Sequence, residues 1–218
     1  MHEKYRIKLE NCLNAQNLLK STQGGASEAV VERLIDYLFL LEKWNKVYNL
    51  TSIRNIDKMF IKHILDSLVV ASSVAESKRM LDVGTGGGLP GVVLAIVFPE
   101  MQVDLLDSNS KKTRFLIQAK AELALKNVNV IQERVEKYQP AERYDGIISR
   151  AFTALDDMLN LTEHLLSDKG SWWAMKSQKT LQEIEHLPKF ATIENVFDLN
   201  VPNLHAERTL IQLIRNDN

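Results

Sequence analysis

Five of the nine glycines in this 218-residue chain fall between positions 84 and 91, in the run Met80-Leu-Asp82-Val-Gly84-Thr-Gly86-Gly87-Gly88-Leu89-Pro90-Gly91. Apolar residues and one acid lead into the run, and a second apolar stretch of helical length, Val92 to Phe98, leads out. That profile predicts a strand, a tight turn and a helix. Glycine lets such a turn adopt positive φ and lets a ligand approach bare backbone. The start of the helix offers unpaired N–H groups and the positive end of its dipole. About one βα unit later stands Asp107, placed to accept hydrogen bonds from a ribose at the tip of the next strand. These parts predict a nucleoside-cofactor pocket in an α/β fold.

Two readings compete for the same glycines. Gly86-x-Gly88-x-x-Gly91 satisfies the dinucleotide fingerprint, with Asp107 near the expected distance. Asp82-x-Gly84-x-Gly86-x-Gly88 satisfies the acid-x-Gly-x-Gly-x-Gly turn of S-adenosylmethionine (SAM) enzymes. A Gly-rich turn with no ligand is the plainer alternative to both. Asp82 favours SAM, since its carboxylate can lie near a bound amino-acid ammonium or hold the turn. The length after the turn also leaves no room for a nicotinamide half plus a substrate domain.

The chain suits one sizeable domain or a domain with an appendage, and at this length roughly 70% of the unfolded surface can be buried. Cys12 is the only cysteine, which excludes a disulfide framework and a cysteine-based zinc cluster, and no metal site is expected. No stretch approaches the ~20 apolar residues of a membrane helix, and the first residues lack the apolar core of a signal peptide. A cytoplasmic protein, monomeric and independent of membrane and DNA, is the expectation. With 27 Lys and Arg against 28 Asp and Glu, no global basic field draws it to nucleic acid. Any RNA contact must come from local patches or from a target already shaped.

Residues 1–75 read as a helical cap and 76–218 as the cofactor-binding domain. Val31, Leu34, Ile35, Leu38, Leu41, Trp44 and Tyr48 recur at helical spacing, after a turn at Gln23–Ser27 with Ser27 as N-cap. Phe60 to Ala71 reads as a second helix, with Phe60, Ile64, Leu68 and Ala71 on its apolar face. Strands are predicted at 79–83, 102–107, 128–132, 145–149, 170–175, 192–199 and 208–214. Helices are predicted near 90–98, 111–125, 153–166 and 178–186. The last two strands flank Pro202-Asn203-Leu204, too short for a crossover, so they should pair antiparallel. A seven-stranded, mostly parallel sheet with an antiparallel last strand is the SAM-methyltransferase version of the Rossmann-like fold.

The strand ends carry the candidate chemistry. After the second strand come Asp107 and Ser108, with Ser110 as a candidate helix cap. Lys111 and Lys112 in the first helical turn oppose the macrodipole, so together with Arg114 they suggest an external anion such as RNA phosphate, or simply a solvated charged face. After the third, backbone groups of Val135 and Glu136 can read an adenine edge, and Arg134 is a phosphate contact or an ion-pair partner. After the fourth come Ser149-Arg150-Ala151-Phe152. Arg150 can hold a cofactor carboxylate or a substrate phosphate, or form a strand-end ion pair. Lys176 lies on the same rim, after Trp172 and Trp173, of which one is expected in the core. His63 and Asp66, three apart, read as a helix-surface hydrogen bond.

What these strand ends lack narrows the acceptor. There is no Asp/Asn-Pro-Pro-aromatic tetrapeptide for exocyclic amines, no cysteine for attack on pyrimidine C6 and no acid to complete a Lys-Asp-Lys-Glu set. The remaining residues suit an acceptor whose lone pair is free without deprotonation, and guanine N7 is such an atom.

Trp44-Asn45-x-x-Tyr48-Asn49-Leu50-Thr51-Ser52-Ile53, His63-Ile-Leu-Asp66-Ser67-Leu68, the turn through Leu89-Pro90-Gly91 and Ser149-Arg150-Ala151-Phe152 together resemble the ribosomal RNA small subunit methyltransferase G family, also called glucose-inhibited division protein B. The resemblance extends through Leu106-Asp107-Ser108, Lys111, Phe115-Leu116, Arg134-Val135-Glu136 and Lys176, from about residue 30 to the C-terminus. It implies methyl transfer from SAM to N7 of one guanine, the guanine-527 position, of 16S ribosomal RNA or the small ribosomal subunit. It carries SAM contacts onto Gly84, Leu89, Val135, Glu136 and Arg150, to which the residues themselves add Gly86, Gly88, Asp107 and Ser108. Arg150 and Lys176 become the catalytic candidates, and Lys111, Lys112, Arg114 and Arg134 the RNA-binding ones. Gly87 departs from relatives that carry Pro or Ala. A small-molecule SAM-dependent methyltransferase with the N-terminal helices as a lid, a nicotinamide-binding protein and a non-catalytic ribosome-assembly factor are the competing readings.

Overall fold

The computed structural model describes residues 1–16, 19, 27–150, 154–176 and 187–216. The predicted helix at 178–186, residues 23–26 of the predicted turn, and Ala151 and Phe152 lie outside the described residues.

The chain opens with helix α1 (His2–Gln16) and helix α2 (Glu28–Tyr48). Ser27 caps α2, its hydroxyl accepting from Val30 N, and Asn49 closes it in the left-handed conformation with φ 52°. The next helical run starts earlier than predicted, at Ile56, because Asn55 caps it with its side chain. It comprises α3 (Ile56–Met59), a π-helical segment (Phe60–Leu65) and α4 (Asp66–Leu68), and a 3-10 turn (Ala71–Val74) follows. Every residue from His63 to Ala71 is buried. From His63 onward the run is therefore not the one-faced helix expected from its apolar spacing, but one enclosed on all sides.

The sheet follows as β1 (Arg79–Val83), β2 (Gln102–Leu106), β3 (Val128–Ile131), β4 (Tyr144–Arg150), β5 (Leu166–Lys176), β6 (Ala191–Leu199) and β7 (Arg208–Arg215). Between them lie α5 (Gly91–Val97), α6 (Ser110–Glu122) and α7 (Leu155–Thr162), with short 3-10 turns at Val135–Lys137 and Glu163–Leu165. The strand order is β3-β2-β1-β4-β5-β7-β6. β1 to β5 run parallel, and β7 inserts antiparallel between β5 and β6. The predicted strands all form, and β5 begins four residues early, directly after its 3-10 turn.

Alternation along the central strands divides the interior in two. Met80, Leu105, Ile148, Trp173 and Met175 join the core shared with α1, α2, α5 and α6, whereas Leu81, Val83, Leu106, Ile147, Trp172 and Ala174 join the core under α7. Trp172 and Trp173 are both buried, one on each side of the sheet, so two tryptophans stand where one was expected. The order reverses between β1 and β4, which opens a crevice at their carboxyl ends, the usual place for a ligand in such a sheet.

Candidate active site

The glycine turn is built over Asp82. Gly84 N and Thr85 N both donate to Leu106 O, fastening the turn to β2. Gly84, Gly86 and Gly88 take φ of 66°, 61° and 90°, a region that suits residues without Cβ. Asp82 is fully buried and holds the turn: its Oδ2 accepts from Thr85 Oγ1 at 2.6 Å and from Gly91 N at 2.7 Å. Burial pushes the Asp82 carboxyl up to about 7 against these two donors. Gly91 is required for contact rather than for conformation, since a Cβ there would sit 2.3 Å from Leu105 Cδ2 and 2.7 Å from Asp82 Oδ2.

Asp107 is also buried. Its Oδ2 accepts from Gly86 N at 2.9 Å and Lys112 Nζ at 3.3 Å, and its Oδ1 accepts from Asn109 N at 2.9 Å. An ionised carboxylate offers about four acceptor positions, so Oδ1 keeps one for a ribose hydroxyl. Lys112 therefore answers to Asp107, and its place in the first turn of α6 needs no external anion. Asn109, not Ser110, caps α6, accepting from Lys111 N at 2.9 Å. Both are capping residue types, but Asn109 has the extended backbone and Ser110 is already helical.

Gly84, Asp107, Ser108, Lys112 and the run Arg134-Val135-Glu136 line one cavity of about 300 Å³ at this edge. Val135 is buried, and Arg134 and Glu136 are exposed at the mouth. Of the other predicted cofactor residues, Gly86 does not line the cavity and reaches it only by donating its N–H to Asp107. Gly88 and Leu89 lie inside the turn, where a Cβ on Gly88 would clash with Val92 and Leu116. Lys111 and Arg114 are exposed on α6.

Arg150 turns toward the cap. Its Nη1 donates to Lys62 O at 2.9 Å and meets Asp66 Oδ2 at 3.3 Å, and its Nη2 lies 3.4 Å from His63 Nδ1. Asp66 Oδ1 accepts from Arg208 Nε at 3.0 Å. One buried carboxylate thus joins the end of β4, the start of β7 and the cap. His63 and Asp66 are buried rather than on a helix surface; Asp66 N donates to His63 O within the helical run, and their side chains turn to different partners. His63 Nε2 instead bonds Thr51 Oγ1 at 2.9 Å, and burial with the Arg150 charge beside it draws His63 down to about 4. Asn45 supports that loop, its side chain bridging Thr51 N and Ile53 O. Lys176, half-buried, ends β5 one residue past Met175, the register partner of Arg150.

Several residues here gave no sequence signal as site members. Arg208 stands far along the chain, and Tyr37, which donates its hydroxyl to Gly87 O, is simply one more buried position of α2. Asn45 and Thr51 did carry a signal, as parts of the Asn-x-x-Tyr-Asn-Leu-Thr run.

Comparison with known proteins follows the same outline. The profile described as rRNA small subunit methyltransferase G matches residues 30–211. The ribosomal RNA small subunit methyltransferase G of Hydrogenovibrio crunogenus is 67% identical over 181 residues, covering 83% of this chain and 83% of that one. Its counterpart in Saccharophagus degradans is 50% identical over 187 residues, covering 86% and 83%. Among solved structures, a ribosomal protein L11 methylase from Lactobacillus delbrueckii superposes with a TM-score of 0.56 at 14% identity, over 75% of this chain and 80% of that one. A coclaurine N-methyltransferase bound to N-methylheliamine and SAH superposes with a TM-score of 0.53 at 13% identity, over 91% and 68%. Likeness at such identities speaks to the fold, which is that of Rossmann-like methyltransferases.

Proposed function

We propose, from the premise that this chain belongs to the rRNA small subunit methyltransferase G family, that it transfers a methyl group from SAM to N7 of a single guanine, the guanine-527 position, of 16S ribosomal RNA. The observation that carries the cofactor half of this reading is the cavity between the glycine turn, Asp107 and Val135-Glu136. It fits the adenosyl group on two grounds. A Cβ at Gly86 would meet only Gly84 O, at 3.9 Å, so bare backbone faces open space, and Asp107 Oδ1 retains an acceptor position.

Bound SAM supplies an electrophilic methyl on a sulfonium. Asp107 and Ser108 orient the ribose, and Val135 and Glu136 present backbone groups to the adenine edge. Gly84, Gly86, Gly88 and Leu89 give the turn its shape. Arg150, anchored by Asp66, keeps N–H donors for an anion at the acceptor side, with Lys176 beside it. Guanine N7 has a free lone pair, so alignment does the work and no side chain has to remove a proton. Lys112 and Arg134 line the cavity and Lys111 and Arg114 are exposed on α6, the side along which RNA phosphate would pass. Residues 1–75 act as a cap over 76–218 and exclude water from the reacting atoms.

The acceptor is the RNA or the small subunit, met in the cytoplasm by a monomer. Among the described residues no helix is long and apolar enough to cross a membrane. Small subunits from cells lacking the enzyme, incubated with protein and labelled SAM, should gain one N7-methylated guanine mapped by mass spectrometry. Label confined to small molecules would overturn the RNA reading in favour of a small-molecule methyltransferase. Calorimetric binding of NADH without S-adenosylhomocysteine would overturn the cofactor assignment.

A further inference from the structure

One face of α2 is occupied by a different neighbour at each turn. Tyr37 bonds the glycine turn, and Leu41 Cδ1 lies 3.2 Å from where a Cβ of Gly87 would stand. Trp44 packs on Phe115 of α6, ring centroids 5.7 Å apart. Tyr48, at the next step of the same face, stacks on Trp44 at 5.0 Å with 26° between the planes. It keeps 39% of its surface exposed, and Val47 beside it 71%. The apolar face thus runs on past the protein's own core and ends in an aromatic ledge.

The surroundings of the ledge are cationic. From Lys43 to Arg54 there are three cations, Lys43, Lys46 and Arg54, of which Lys46 is paired with Glu42 one turn back at 2.7 Å. Arg54 donates to Asn49 Oδ1, which fixes its guanidinium at the Tyr48 end of the helix. Lys111, one turn before Phe115 on α6, is exposed on the side that Trp44 approaches. The ledge also adjoins the acceptor edge: Thr51, three residues beyond Tyr48, bonds His63, which contacts Arg150. A preordered aromatic pair flanked by Arg54 and Lys111 matches single-stranded nucleic acid, whose bases stack on aromatic rings while phosphates meet the cations.

We infer that the Trp44–Tyr48 pair is a stacking ledge for an unpaired base next to the acceptor guanine, with Arg54 and Lys111 on the adjoining phosphates. This rests on the RNA reading above. Tyr48→Ala should raise KM for small ribosomal subunits about tenfold, the loss of one stacked base, while the dissociation constant for S-adenosylhomocysteine and the melting temperature stay those of the parent. Tyr48→Trp should restore KM and Tyr48→Leu should not, which separates stacking from bulk. An unchanged KM in Tyr48→Ala overturns the ledge while leaving the methyltransferase intact. Parent protein that methylates no RNA overturns both. Concentration-dependent dimers lost in Tyr48→Ala, with KM unmoved, would assign the surface to a second copy and overturn the RNA ledge.

Discussion

The hydroxyl of Tyr37 donates to the carbonyl of Gly87, so helix α2 grips the glycine turn at the end of β1. The tyrosine is fully buried and burial raises its pKa far above the usual phenol range, so it stays a donor at any working pH. Removing the hydroxyl in Tyr37→Phe leaves a buried carbonyl without that donor. Urea unfolding should show a loss of about 2 kcal/mol, and calorimetry a severalfold weaker binding of S-adenosylhomocysteine.

Two glycines of the same turn should fail in opposite ways. Gly91→Ala drives a Cβ into Leu105 and Asp82, and should cost about 2 kcal/mol or more in stability. Gly86→Ala has open space for its methyl and pays only for φ of 61°, about 1 kcal/mol. Its added carbon nevertheless fills the open space that bare backbone leaves there, so S-adenosylhomocysteine binding should fall more than stability does. Denaturation and calorimetry on both variants separate the two effects.

Acid should expose the burial of His63. Its folded pKa, about 4, lies below the ordinary 6.5, so between those values the unfolded chain holds more protons on this group than the folded one. Its contribution is thus complete above pH 6.5 and falls as pH drops toward 4, by about 3 kcal/mol in all. Asp82, raised to about 7, works in the opposite sense: its contribution is greatest below about 4 and is lost as pH rises through 7. The His63 part is isolated by difference. The stability gap between parent and His63→Asn, measured by urea at several pH values, should widen in the parent's favour from pH 4 to 6.5. A gap that does not move with pH would contradict the buried neutral imidazole.

Asp66 should matter more than either arginine it holds. Asp66→Ala leaves the guanidinium groups of Arg150 and Arg208 facing each other across the former carboxylate, and should cost about 3 kcal/mol. Arg208→Ala leaves Asp66 with Arg150 and should cost less. Thermal unfolding of the two variants decides the order, and the reverse order would show that the carboxylate is not the centre of the cluster.

Much of the sheet was legible because its signals are local. Alternating apolar residues mark each strand, and the glycine turn followed in register by Asp107 marks the edge where the cavity opens. The His63–Ala71 stretch was not legible, because a helix buried on every side has no polar stripe to reveal its phase or its π-helical widening. The choice between Asn109 and Ser110 as cap turned on one backbone angle between two neighbouring residues of similar propensity. Arg150 could be seen as a charge at a strand end, yet not as the partner of Asp66. Which anion it answers to depends on how the cap folds back, and Arg208, the third member, stands 142 residues from that carboxylate.

That distance along the chain has a consequence for truncation. β7 takes the penultimate position in the sheet although it follows the other six described strands in the chain, and Arg208 opens it. Until this strand is in place, the buried carboxylate of Asp66 lacks one of its two arginine partners. A truncation that removes that arginine would therefore loosen helices that precede it by more than a hundred residues.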